Sequence, residues 1–185
     1  MWRLPNPERL GQRAGPLHVL GGSGLTPMDW MDLLADPAYR HVLLNHVPVI
    51  GLIVAWMVLA SGLVLRQSAL LFTGLALIAI TAGISIPVAN YGDAAYPAVY
   101  DILDGHSRGW LDYHAEVADT WLPLLYATSA FAIIGIIIGW ARLRWLPWLS
   151  LATAVLTLVA IGGVSVVASA GGKIQHPEFR ISDPP

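Results

Sequence analysis

The stretch WLPLLYATSAFAIIGIIIGW, residues 121–140, runs for twenty positions without a formally charged side chain. Three further runs share this property, at residues 42–65, 69–89 and 146–170. About 20 apolar residues in helical form cross the ~30 Å hydrocarbon core of a bilayer. Because a segment in lipid must satisfy its own backbone hydrogen bonds, each run is predicted to be a transmembrane helix.

The composition of the whole chain agrees with this prediction. Of its 185 residues 56% are hydrophobic and 12% are charged, whereas soluble domains carry about 25% charged residues. The absence of cysteine excludes disulfides, thiolate metal sites and covalent c-type haem attachment. A net charge of −2 gives no reason to expect nucleic acid as a partner. Any cofactor must be held by histidine, carboxylate, methionine or backbone groups.

The connections between the runs predict the topology. Arg66 and Gln67 separate the first two runs, and residues 141–145 separate the last two. Such short links make antiparallel hairpins, so we expect two hairpins joined by a long loop at residues 90–120. The predicted fold is therefore an all-α four-transmembrane-helix bundle over residues 41–180, with both termini and the long loop on one side. Residues 181–185 form a tail.

The first 40 residues are predicted to be an N-terminal arm that ends in a short interfacial helix. Thr26 and Pro27 form a typical helix start, with the threonine as cap and the proline at the first position. The apolar residues from Trp30 onward give this helix one apolar side, on a segment too short to span. The arm before it would suit docking on a larger membrane complex.

The arginines of the short links indicate the orientation. Arg66, Arg142 and Arg144 stand in these links without any acidic residue. Short cytoplasmic loops usually have this character. The opposite end, with the termini and the long loop, is therefore expected on the periplasmic side of a bacterial inner membrane.

All six histidines fall on the side of the termini. Counted from the arginine end at ~1.5 Å per residue, His46 lies about 30 Å up, His41 about 37 Å, His114 about 42 Å and His176 about 46 Å. These four form one layer near a single interface. The other two, His18 and His106, are expected to lie in solvent-facing loops.

This layer is a candidate cofactor site. Neutral imidazole is a common metal ligand, and haem iron accepts it axially. The four candidate ligands of haem iron or another metal are His41, His46, His114 and His176, and the sequence leaves the pair open. On an ideal helix His41 and His46 point about 140° apart. Glycines on the second and fourth runs would either make room for a porphyrin or allow close helix packing.

Neighbouring polar residues could support these ligands. Asn45 precedes His46 within an apolar run, and such an intramembrane polar pair is costly enough to indicate function. Glu116 or Asp119 could orient the second ring nitrogen of His114, as metal-bound histidines require. These three residues are the predicted supporting groups.

Three segments resemble a known family. HVLLNHVPVIG at 41–51, HAE at 114–116 and GGKIQHPE at 171–178 are similar to the uncharacterised bacterial four-helix membrane domain with paired-His/Pro and Gly-Gly-x-x-x-His motifs. That family resembles the small di-haem b-type membrane cytochromes. The resemblance covers residues 38–180 and implies haem b at the four candidate histidines. Di-haem cytochromes hold haem at two levels, whereas these histidines lie at one, so one haem, or two side by side, would fit.

The leading hypothesis is a membrane redox subunit that binds b-type haem near one bilayer interface and transfers electrons within a larger complex. Its partner would be a c-type cytochrome or a quinone-linked complex. The alternative is a cofactor-free accessory subunit that attaches through the N-terminal arm.

A third possibility is a histidine metal site that includes Glu116, Asp119 or Glu178. Transport is disfavoured because no charged residue lies at mid-bilayer. The chain has no catalytic triad, Walker loop or HExxH motif, so we do not expect an enzyme in its own right.

Overall fold

The computed structural model of the protein describes residues 27–184. Within this range, residues 34–184 belong to one compact unit. The helices of the described part are α1 (Pro27–Ala35), α2 (Pro37–Leu65), α3 (Ser68–Gly83), α4 (Ser85–Ile102), α5 (Gly105–Ala141) and α6 (Leu146–Gln175). Short 3₁₀ turns occupy Leu143–Trp145 and Pro177–Phe179. The arm at residues 1–26, with His18, lies outside the described residues.

Four of these segments are long and apolar enough to cross a membrane: Pro37–Leu65, Ser68–Ile102, Gly105–Ala141 and Leu143–Gln175. The predicted four-helix membrane bundle is therefore confirmed, and the chain is an integral membrane protein. Helix α2 packs on α3, α4 and α6, while α5 packs on α6, α3 and α4. Helices α2 and α5 share no close backbone contact, so they are diagonal in the bundle.

The structure has a short helix, α1, at Pro27–Ala35, in the segment where one was predicted. The predicted cap Thr26 lies outside the described residues. Trp30 and Met31 are exposed on it. Its placement in the membrane interface stays a prediction.

The second membrane segment is interrupted at Ile84, between α3 and α4. Pro87 explains this position. A proline has no backbone N–H to donate, and its ring clashes with the carbonyl of the residue four positions earlier, here Gly83. The chain continues beyond it as α4.

The loop predicted at residues 90–120 is wrong, because this segment is helical. We call residues 90–120 the cap hairpin: α4 continues to Ile102, and α5 begins at Gly105. Asp104 caps α5 by accepting a 2.7 Å hydrogen bond from the backbone N–H of Ser107. With 37 residues α5 is about 55 Å long, well beyond a ~30 Å hydrocarbon core. The cap hairpin therefore extends the bundle past one membrane face.

Two apolar clusters hold this arrangement together. The larger one fills the membrane part, with Leu52, Leu75 and Ile78 fully buried. The smaller one joins the cap hairpin to the end of α6 through Trp110 and Ile174. Tyr96, Tyr100 and Tyr113 pack against this cluster. These aromatic contacts stabilise helices in a polar segment that hydropathy alone does not identify.

Hydrogen bonds between helices add to the packing inside the bundle. The indole N–H of Trp56 donates to the carbonyl of Ala154 at 3.1 Å, and the hydroxyl of Ser129 donates to the carbonyl of Ala79 at 2.8 Å. The first bond joins α2 to α6, and the second joins α5 to α3. Interhelical bonds of this kind contribute about 0.6 kcal/mol on average in a membrane.

Candidate functional site

His41 lies in the second turn of α2. Asp36 fixes the start of this helix by accepting hydrogen bonds from the backbone N–H groups of Ala38 and Tyr39 at 2.7 and 3.2 Å. The Nδ1 of His41 is 2.9 Å from the carbonyl oxygen of Val88 on α4. A carbonyl can only accept, so Nδ1 carries the proton and the lone pair of the neutral ring resides on Nε2.

His114 repeats this arrangement on the opposite side of the bundle. It lies in α5, and its Nδ1 is 3.0 Å from the carbonyl oxygen of Val167 on α6. The same reasoning assigns the proton to Nδ1 and the lone pair to Nε2. Histidines that bind metals usually donate their other ring N–H to a carbonyl or carboxylate in this way. Both rings therefore have the tautomer of a ligand that binds through Nε2.

The two rings meet across the bundle. Their centroids are 6.2 Å apart, and their planes are perpendicular. Because His41 and His114 come from the diagonal helices α2 and α5, the contact spans the bundle axis. Cofactor sites of helix bundles are built from side chains on facing helices in this manner.

A glycine lies against each ring. A Cβ on Gly92 would be 2.9 Å from Nδ1 of His41, and a Cβ on Gly171 would be 3.1 Å from Cε1 of His114. The first contact is closer than real Cβ atoms approach, and the second is tighter than about nine in ten of their contacts, so a side chain at either position would require the ring to shift. The glycines therefore set the position of both imidazoles.

The other two candidate ligands do not join this pair. His46 is exposed on α2, and its Nδ1 bonds to the Val42 carbonyl of its own helix at 2.9 Å. His176 lies just past α6, where it pairs with Glu178 at 2.9 Å and stacks on Phe179. The structure thus brings together two of the four predicted ligands, His41 and His114.

The predicted supporting residues lie away from the ring nitrogens of the pair. Glu116 and Asp119 are exposed, and Asn45 is half-buried. The groups that orient the two rings are the backbone carbonyls of Val88 and Val167 instead. Sequence reasoning missed both because a backbone oxygen has no signature in the residue type. Gly92 was missed because it fell in the expected loop.

The number of ligands restricts the chemistry of the site. Among residues 27–184, no group of three or more histidine and acidic side chains is arranged to hold a metal ion. A structural zinc ion requires four protein ligands. Two imidazoles suffice only where another molecule supplies the remaining ligands, as a porphyrin does for haem iron.

The two rings are also close enough to serve one cofactor. Their centroids are 6.2 Å apart. The donor type, tautomer and number are therefore those expected of two histidines that together would hold one haem.

The end of α6 adds charged groups above this pair. Lys173 places its ammonium 4.5 Å from the ring centroid of Trp110. Arg180 returns over the helix end, donating to the carbonyls of Lys173 and Ile174 and to the hydroxyl of Ser107. These bonds attach the segment after α6 to the cap hairpin.

Two acidic groups outside the membrane segments have lowered pKa values. The backbone hydrogen bond from Ser107 lowers the pKa of the Asp104 carboxyl. A backbone hydrogen bond at Glu178 itself, followed by the hydrogen bond from His176, lowers the pKa of Glu178. Both carboxylates are therefore ionised at neutral pH.

The candidate site consists of His41 and His114, oriented by the carbonyls of Val88 and Val167. No protein-family model, curated protein or solved structure matches the sequence. The family resemblance of the three histidine-bearing segments therefore stays a prediction.

Proposed function

We propose that this protein is a membrane redox subunit that holds one b-type haem between His41 and His114 and transfers electrons within a larger complex. The observation that carries the proposal is the His41–His114 pair itself. Two imidazoles on diagonal helices have centroids 6.2 Å apart. Backbone carbonyls fix both rings in the tautomer with the proton on Nδ1 and the lone pair on Nε2.

The protein contributes position and environment, and the haem would supply a one-electron couple. The Val88 and Val167 carbonyls hold the two rings in orientation and raise their basicity as ligands. Gly92 and Gly171, which lack a side chain, leave the space that the two rings occupy. The surrounding apolar helices limit the access of water, which tunes the potential of an iron centre.

The level of the pair supports a site near one membrane face. From His41 to the end of α2 at Leu65 there are 24 residues, or about 36 Å of helix. That length exceeds the ~30 Å hydrocarbon core. Arg66, Arg142 and Arg144 are exposed at the other end. By the positive-inside rule, we propose that the arginine end is cytoplasmic and the histidine end periplasmic in a bacterial inner membrane.

The electron partner is proposed to be a c-type cytochrome or a quinone-linked complex. The cap hairpin presents exposed acids at the same end of the bundle as the histidine pair, namely Asp93, Asp112, Glu116 and Asp119. An acidic surface beside a redox centre would speed the encounter with a basic partner surface. The N-terminal arm offers a second attachment to the complex.

The decisive experiment is a reduced-minus-oxidised visible spectrum of the detergent-purified protein, with a pyridine haemochrome assay. We expect a b-type spectrum with one haem per chain. His41→Ala and His114→Ala should each abolish the bis-imidazole signal, and His46→Ala serves as the matched control on the same helix.

Two outcomes would contradict the proposal. Normal haem content in the His41→Ala, His114→Ala double variant would exclude this pair as the ligands. A blank spectrum from cells supplied with haem would favour the cofactor-free accessory subunit. In that case co-purification with and without residues 1–25 would become the informative measurement.

A further inference from the structure

Trp110 carries a buried hydrogen-bond donor without an acceptor. Its side chain is 2% exposed, and its indole N–H has no hydrogen-bond partner in the described part of the chain. Leaving such a donor unsatisfied costs about 1–3 kcal/mol. Buried indoles usually find a partner. The donor therefore indicates that a group outside the chain accepts its hydrogen bond.

Trp110 lies one helical turn from His114 on α5. It precedes His114 by four residues on α5, so both side chains lie on one face, about 6 Å apart along the helix. On the facing helix α6, Gly171 contacts the ring of His114, and Ile174 packs against Trp110. The indole is thus one helical turn from the proposed iron position, toward the cap hairpin.

A positive charge accompanies this donor. The ammonium of Lys173 lies over the Trp110 ring, at 4.5 Å from its centroid. Lys173 forms no ion pair with any acidic residue in the part of the chain that the structure describes. An N–H donor without a partner and an ammonium without a counter-ion together favour an anion with oxygen acceptors.

We propose that Trp110 and Lys173 bind a carboxylate of the cofactor, namely a propionate of the haem held by His41 and His114. This inference rests on the proposed function and assigns the orientation of the haem: its propionate edge faces the cap hairpin. Trp110 and Lys173 are positioning residues for the cofactor. A phospholipid phosphate is the other source of the same chemistry, and the experiment separates the two.

The test compares two haems on the purified full-length apoprotein, ferric haem b and its dimethyl ester, in which both propionates are neutral. We expect the wild-type protein to bind the free acid about tenfold more tightly, because only the ionised propionates can accept charge-assisted hydrogen bonds. Trp110→Phe keeps the aromatic ring and removes the donor, and Lys173→Met keeps the aliphatic stem and removes the charge. Each should reduce the preference, and the double variant should abolish it. Arg142→Gln, at the opposite end, is the control and should keep it.

Each outcome decides between the claims. Equal affinity of the wild-type protein for the two haems, with a bis-imidazole spectrum from both, overturns the propionate site and leaves the haem proposal intact. A preference that survives in the double variant also overturns it. Loss of a bound phospholipid from the double variant in native mass spectrometry, with an unchanged preference for the free acid, assigns the site to lipid phosphate instead. If neither haem binds to the wild-type protein, the proposed function fails together with this inference.

Discussion

Gly171 lies directly against the ring of His114, where a Cβ would be 3.1 Å from Cε1 and 3.2 Å from Nδ1. The adjacent Gly172 has open space at the same position. Two neighbouring glycines therefore have different roles, and only the first one controls the imidazole.

This difference predicts the effect of a single methyl group. Gly171→Ala should displace the His114 ring and weaken its bond to the Val167 carbonyl, so haem affinity falls by about tenfold, the equivalent of about 1.4 kcal/mol. Gly172→Ala should leave affinity unchanged. Haem titration of the two apoproteins measures both. Equal affinities would show that the glycine contact does not position the ring.

A second pair of adjacent glycines, Gly162 and Gly163, tests the packing of α6 on α5 without touching the histidine pair. A Cβ on Gly163 would overlap the indole of Trp121, whereas one on Gly162 would meet nothing within 4 Å. Overpacking of this kind costs about 1–3 kcal/mol. Gly163→Ala should therefore lower the melting temperature in detergent, and Gly162→Ala should not. A stable Gly163→Ala protein would mean that α5 and α6 can separate at low cost.

A third prediction concerns the hydroxyl of Ser129, which bonds across the bundle to Ala79. Ser129→Ala should destabilise the protein by about 0.6 kcal/mol, with 1.7 kcal/mol as the upper limit known for such bonds. The control is Ser61→Ala, because the Ser61 hydroxyl bonds to the Met57 carbonyl of its own helix. Reversible unfolding in mixed micelles measures the difference. If both variants lose the same stability, the interhelical bond has no special contribution.

A fourth prediction follows from the lowered pKa of Asp104. A carboxyl whose folded pKa is depressed stabilises the fold above its unfolded pKa, and this contribution is lost as the pH falls through the folded value. The cap at the start of α5 should therefore act fully at pH 7 and weaken below about pH 4. Asp104→Ala should cost about 1 kcal/mol at pH 7.

Amide hydrogen exchange at the start of α5 checks this expectation. The gap in protection between wild type and Asp104→Ala should narrow from pH 7 to pH 3. Asp104→Asn keeps a neutral cap, so the difference in protection between Asp104→Asn and Asp104→Ala should not change between pH 7 and pH 3. A gap that is constant over this range would exclude ionisation of Asp104 as the stabilising factor.

Much of the fold follows from the sequence because the bilayer imposes length and hydropathy on a spanning helix. The four runs and the two short links at Arg66 and 141–145 were sufficient to predict the bundle. The cap hairpin was not predicted, since its helices are polar and leave the membrane. Asp104, followed by Ser107 at the position it caps, was the local signal for a helix start.

The site was predicted only in part for a related reason. Counting along the helices predicted similar levels for His41 and His114. It could not show which helices are diagonal, because that depends on packing among all four. The choice between His41 and His46 was open for the same reason: the rotation of α2 decides which ring faces the bundle axis. In the structure Gly51 of α2 packs closely on Thr81 of α3, which is one of the contacts that hold α2 in its orientation.

The histidine pair lies at one end of a long bundle, and this position determines how much the transmembrane potential could affect any electron transfer there. About 36 Å of helix separate His41 from the arginine end. A charge that crosses the whole membrane gains or loses about 2.3 kcal/mol per 100 mV of transmembrane potential. An electron that enters and leaves at the level of His41 traverses almost none of that field. The proposed electron transfer would therefore be electrically silent: it should proceed at the same rate in energised and de-energised vesicles, and it would contribute to a proton-motive force only through the proposed partners.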